Sequence, residues 1–107
     1  MSDFESACVV LTTLSSRDEA RTLAGELVER RLAACVQMLP IESIYTWQGE
    51  LQHDDEVLLL IKTRRELYAP LETFIRETHR YEVPEIVQLP VAAGSAAYLR
   101  WLADVTS

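Results

Sequence analysis

Two long apolar segments flank the compact turn signal Gln48-Gly49-Glu50, and this arrangement between Ala33 and Thr63 constrains the chain more than any other stretch. The first arm reads Ala33-Ala34-Cys35-Val36-Gln37-Met38-Leu39, is interrupted by Pro40, and resumes as Ile41-Glu42-Ser43-Ile44-Tyr45-Thr46-Trp47. The second ends in the unbroken run Val57-Leu58-Leu59-Leu60-Ile61. Five consecutive large aliphatics fit a strand covered on both faces, whereas Tyr45-Thr46-Trp47 has the aromatic and β-branched content of a strand with one special face. The stretch predicts a β-hairpin turning at Gly49 and bending at Pro40.

The flanks are patterned to cover it. Ala7 to Leu14 is a short apolar, β-branched run and predicts a buried strand ended by Ser15-Ser16. Ser16 and Glu19 have capping-box spacing, and Ala20, Leu23, Ala24, Leu27, Val28 and Leu32 recur at helical intervals, so a one-sided helix is expected from about Arg17 to Arg31. Thr63 and Glu66 repeat the capping spacing before Leu67, Leu71, Phe74 and Ile75. Because proline suits only a first turn, Pro70 places an irregular lead-in at residues 64–68 and the regular helix at about Ala69 to His79. A loop from His79 to Pro84, a strand from Glu85 to Val91 and a helix opened by Gly94-Ser95 complete the chain. In that last helix Tyr98, Trp101 and Leu102 are read as helix-to-sheet core.

The order β-α-β-β-α-β plus a C-terminal helix is that of an α+β, ferredoxin-like antiparallel sheet. Its first and third strands are central, and here they are the two most continuously apolar segments. One domain spans residues 1–107. No apolar stretch is long enough to cross a bilayer. Met1-Ser2-Asp3-Phe4-Glu5 lacks the basic and apolar regions of a secretory leader, so a cytoplasmic protein with Cys8 and Cys35 reduced is expected. Seventeen acidic residues against ten basic ones give a net charge of -7, which repels phosphate backbones and acidic lipid; neither nucleic acid nor a membrane is an expected partner.

Several chemistries fail on residue inventory. Two cysteines are too few for an iron–sulfur cluster, the third strand lacks the basic and aromatic residues of an RNA-binding sheet, and Thr12 to Ser16 has no phosphate-cradling glycine. Nucleophilic catalysis by Cys35 with His79 lacks an electropositive setting, and no enzyme is expected. Thiolate and imidazole suit copper or zinc, which makes Cys35 and His79 metal candidates, although core packing and a helix C-terminus explain the same two residues. The run His53-Asp54-Asp55-Glu56 reads as a solvated surface beside the turn. Tyr45 and Trp47, near a hairpin tip that outreaches its domain, call for burial against another subunit.

Arg31-Leu32-Ala33-Ala34-Cys35-Val36, Ser43 to Gly49, Glu56 to Thr63, His79 to Leu89 and Tyr98-Leu99-Arg100-Trp101-Leu102 together resemble the CutA divalent-cation-tolerance family, essentially end to end. The resemblance implies a homotrimer of ferredoxin-like protomers, similar in architecture to the PII signalling proteins, with a role in tolerance of copper and other divalent metals. It places copper ligands at Cys35 and His79. Thr12 stands where some members carry a further cysteine; Cys8, four residues earlier, is not the matching position. Glu56, Lys62, Tyr81 and Glu85 are expected to supply polar groups to a cleft. The alternative expectation is a PII-like signalling or scaffold module that takes a small metabolite or protein partner between subunits.

Overall fold

The computed structural model describes residues 6–107, so the reading of Met1 to Glu5 falls outside the described residues. The elements are β1 (Ala7–Leu14), α1 (Arg17–Glu29), β2 (Cys35–Trp47), β3 (Glu50–Arg64), a 3-10 turn (Arg65–Leu67), α2 (Tyr68–Thr78), β4 (Ile86–Pro90) and α3 (Ala96–Val105). All pairings are antiparallel, and the order β2-β3-β1-β4 puts the two most apolar strands in the centre. No helix among the described residues is long and apolar enough to cross a membrane.

Strand alternation sorts the sheet into two unlike faces. On one, Cys8, Val10 and Leu14 of β1 and Leu59 and Ile61 of β3 pack beneath Ala20, Leu23 and Leu27 of α1 and Leu71 and Ile75 of α2. Full burial of each such leucine or isoleucine contributes about 1.5–3 kcal/mol. The opposite face carries Val9, Leu11, Leu58 and Leu60 only half-buried, and Leu39, Val87 and Leu89 exposed at 42–45 %. Helix α3 covers one end of it, where Arg64 donates from Nε to Thr106 Oγ1 (2.9 Å) and from Nη2 to the Thr106 carbonyl (2.7 Å).

Pro40 does not interrupt β2. It sits in register opposite Val57, which an edge strand tolerates because a proline at an outward-facing donor position removes no ladder bond. Trp47 pairs with Glu50, leaving Gln48 (φ 52°) and Gly49 (φ 81°) as a two-residue turn with both φ positive, the type I′ geometry that matches strand twist. Since β1 reaches only to Val57, residues Glu50 to Glu56 and their partners Ile41 to Trp47 project as a two-stranded ribbon roughly 20 Å long.

Helix ends follow local chemistry. Ser16 Oγ accepts from the Glu19 N–H (3.0 Å) at the start of α1. The helix ends in a Schellman arrangement, with Leu32 N–H to the Leu27 carbonyl, Arg31 N–H to the Val28 carbonyl, and Arg31 left-handed at φ 60°. The second capping box does not form: Thr63 Oγ1 donates to the Leu32 carbonyl (2.7 Å) and Glu66 pairs with Arg64 (3.1 Å). Buried on the core face, Thr63 is committed to the helix–hairpin connection instead. Pro70 falls in the first turn of α2, as its missing N–H requires. Along α3 and its C-cap the buried stripe is Leu99, Leu102 and Thr106, so Leu102 is buried as expected but Tyr98 and Trp101 are not. Those residues are 39 % and 43 % exposed, and their rings meet at a tilt of 41° with centroids 5.5 Å apart. Three- and four-residue spacing fits both stripes equally, and the ends of the central strands β1 and β3 accepted the slimmer one.

Thr12 is fully buried, and its hydroxyl has no hydrogen-bond partner among the described residues. An unsatisfied buried hydroxyl costs about 1–3 kcal/mol, whereas valine fills the same volume with carbon. Thr12→Val is expected to raise the melting temperature by about 4–8 °C per kcal/mol recovered, measured by calorimetry; an unchanged or lowered midpoint would contradict the assignment.

Candidate functional site

The described surface has a cleft of about 640 Å³ where the ribbon passes the loop that follows α2. Ser43, Tyr45 and Trp47 of β2, with Ile44 between them, and Asp54 and Glu56 of β3 form one wall, the loop residues Tyr81, Glu82, Val83 and Glu85 the other, and Thr13 closes the base. Alternation explains the ribbon's contribution. Tyr45 pairs with Gln52 and Ser43 with Asp54, so these residues share a face, while Ile44, Leu51 and the exposed Glu42–His53 contact (2.9 Å) share the other. Counting outward from a two-residue turn therefore splits the acidic run His53 to Glu56 between two faces. Within this run the sequence singled out only Glu56 for a cleft and left Asp54 on a solvated surface; Glu82 was missed because a loop has no period.

Glu56 is a carboxylate only 8 % exposed. Its Oε2 accepts from the Tyr81 hydroxyl at 3.0 Å. Burial, then this hydrogen bond, push the Tyr81 phenol up to about 12, so it stays a donor throughout the physiological range. Tyr45 donates its hydroxyl to Asp54, and that bond is the main cause of its own raised pKa. The lining holds four carboxylates and no basic residue.

Three of the four expected cleft residues, Glu56, Tyr81 and Glu85, line this cleft. Lys62 does not: it pairs with Cys35 and Val9 at the far end of the sheet, and its ammonium lies 5.7 Å from the Tyr98 ring centroid.

Cys35 and His79 are not brought together within the chain. Cys35 aligns through Lys62 with Val9, whereas His79 is fastened to Thr13, four positions along β1. At about 3.3 Å per residue this is about 13 Å along the strand, before two inter-strand steps of about 4.8 Å, against metal bonds of about 2.0–2.3 Å. His79 is also chemically occupied. The Tyr81 N–H donates to Nδ1 at 3.1 Å, which leaves Nε2–H to donate to the Thr13 carbonyl at 2.6 Å. The neutral ring has no lone pair to spare. Among the described residues no group of three or more His, Cys, Asp or Glu side chains is arranged to hold a metal ion. Cys8 is buried in the core with its thiol pushed up to about 11, chiefly by desolvation, and is inert packing.

Comparison with known proteins accords with this architecture. Residues 8–105 match the family described as CutA1 divalent ion tolerance protein. The chain is 50 % identical over 99 residues to the divalent-cation tolerance protein CutA of Thermus thermophilus, covering 92 % of this chain and 96 % of that one. It is 46 % identical over 99 residues to the chloroplastic protein CutA of Arabidopsis thaliana, covering 92 % of this chain but only 54 % of that longer protein. Among solved structures, the divalent cation tolerance protein of Thermus thermophilus superposes with a TM-score of 0.91 at 49 % identity, covering 94 % of this chain and 99 % of that one. CutA1 from Oryza sativa gives 0.94 at 40 % identity, covering 99 % of this chain and 98 % of that one. The family description and the Thermus thermophilus names describe cation tolerance, and none of these names states a catalysed reaction. The chain belongs to the CutA1 divalent ion tolerance family.

Proposed function

We propose that this chain is a non-catalytic protein of divalent-cation tolerance that works in the cytoplasm as a homotrimer of ferredoxin-like protomers and binds copper or a similar ion such as zinc. The open sheet face carries the reading. Leu39, Val87 and Leu89 lie exposed beside Val9, Leu11, Leu58 and Leu60, and the projecting ribbon extends the same face through Tyr45 and Trp47, each about 40 % exposed. An apolar surface of that extent on a 107-residue chain calls for a partner. A closed ring of copies covers it, supports a ribbon that two strands alone hold only marginally, and leaves no open edge for further association.

Cys35 lies on this open face, half-buried and free. It is the soft donor for copper, and the other donors come from neighbouring copies, since one chain does not gather a set. Light scattering is expected to give a trimer, and Val87→Lys with Leu89→Lys to dissociate it; a wild-type monomer at micromolar concentration would overturn the assembly. In calorimetric titration with Cu(II) and with Zn(II), Cys35→Ala is expected to weaken binding at least about ten-fold. His79→Ala should leave it unchanged, because both ring nitrogens are already engaged. Identical isotherms for Cys35→Ala and wild type would exclude Cys35 as the donor.

The cleft favours a second reading, a PII-like signalling or scaffold module that binds a small molecule. It lies at the margin of the open face, where a second copy would form part of its rim.

A further inference from the structure

We infer that His79 is a pH-operated latch: its neutral ring ties the loop after α2 to the end of β1, and a proton on that ring lets the loop go. The inference goes beyond cation tolerance and depends on neither metal nor small-molecule binding.

The two hydrogen bonds of the ring admit one protonation state. Nε2 lies 2.6 Å from the Thr13 carbonyl, which can only accept, so Nε2 carries hydrogen and donates. Nδ1 receives the Tyr81 backbone N–H at 3.1 Å, and that group can only donate, so Nδ1 keeps its lone pair. Imidazolium carries hydrogen on both nitrogens. Protonation therefore leaves the Thr13 bond in place and sets two donors, Nδ1–H and the Tyr81 N–H, against each other. The bond lost is the one that holds the loop.

Much of the loop depends on it. Tyr81 meets the ring through its N–H and the ribbon through its hydroxyl, which donates to Glu56 Oε2 at 3.0 Å. Beyond it Glu82, Val83 and Glu85 are exposed, Val83 at 68 %, so apolar burial does little to hold the segment before β4 begins at Ile86. The ion pair of Arg80 with Glu19, at 3.4 Å, is itself solvent-exposed and weak.

The surroundings attract the proton. His79 shares a groove of about 270 Å³ with α1, whose Asp18, Glu19 and Glu26 line the other side. It also follows the last turn of α2, where the helix carbonyls add negative potential. Arg80 is the opposing charge and is paired with Glu19. Glu56 reaches the ring only through Tyr81, whose phenol is pushed up to about 12 and stays a donor. His53, the other imidazole of the chain, pairs with Glu42 on the far ribbon face. Imidazole changes charge between about pH 5 and 8. The held loop requires the neutral ring, so the latch is closed on the alkaline side and opens as pH falls.

NMR of the full chain from about pH 8 to 5.5 tests this, by following the ring nitrogens of His79 and the hydrogen exchange of backbone amides corrected for intrinsic rate. The alkaline spectrum is expected to show the Nε2–H tautomer and a protected Tyr81 amide. As the ring protonates, Tyr81 protection should fall at least about ten-fold with the same midpoint, while the Leu32 amide, bonded to the Leu27 carbonyl, stays level. In His79→Gln, whose amide both donates and accepts but does not titrate, the pH dependence at Tyr81 is expected to vanish, at whatever level of protection the variant retains. Tyr81 protection that is absent on the alkaline side, or that persists while the ring protonates, would overturn the latch. So would a ring that stays neutral throughout, or the wild-type pH dependence surviving in His79→Gln.

Discussion

The architecture follows from a mismatch in strand length. Strand β3 is fifteen residues long and β1 only eight, yet the two share the central pairing of the sheet. Within the overlap, Val10, Leu59 and Ile61 are sealed beneath two helices. Beyond it, β3 has β2 as its sole neighbour among the described residues, and the hairpin must leave the domain as a ribbon. The long axis of 45 Å against 26 and 22 Å expresses that projection. The cleft exists because the ribbon departs where the loop after α2 returns to the sheet.

His79 ties the two together. Its ring bridges the end of β1 to the first residues of the loop, accepting from one backbone group and donating to another, and it lies 4.6 Å from the ring of Tyr81. A histidine suited by chemistry to a metal is therefore better understood as a strut that places Tyr81 over Glu56. Electrostatics then accumulate by exclusion, since the acidic side chains facing the cleft have no basic residue among them, while Arg76 and Arg80 are spent on helix surfaces and Arg64 on the α3 anchor.

The fold was legible because its signals were local and mutually consistent. Two continuous aliphatic runs marked the central strands, Gln48-Gly49 marked the turn, and Ser16 and Ser95 marked helix starts that their hydroxyls do cap. What escaped were choices made by tertiary packing. Thr63 had the spacing of a cap but was taken by the Leu32 carbonyl, and α3 buried Leu99 where aromatic bulk had pointed to Trp101. Of the candidate site, the sequence pointed to Glu56, Tyr81 and Glu85, which do line one cleft. Whether Cys35 and His79 meet within the chain required a distance in space, and chemical type alone carries none.

The hairpin's register is pinned at both ends. A two-residue turn fixes the tip, and at the base the Ala34 N–H to the Lys62 carbonyl and the Thr63 hydroxyl to the Leu32 carbonyl fix the root. Between these clamps, facing is a matter of parity: odd positions of β2 meet even positions of β3 on the cleft side. Lengthening each strand by one residue would carry Tyr45 and Asp54 to the back and bring Ile44 and Leu51 to the front. Ribbons of this design can grow or shrink only by two residues per strand if the cleft is to keep its character, so length variation should be quantised where loop insertions elsewhere are free.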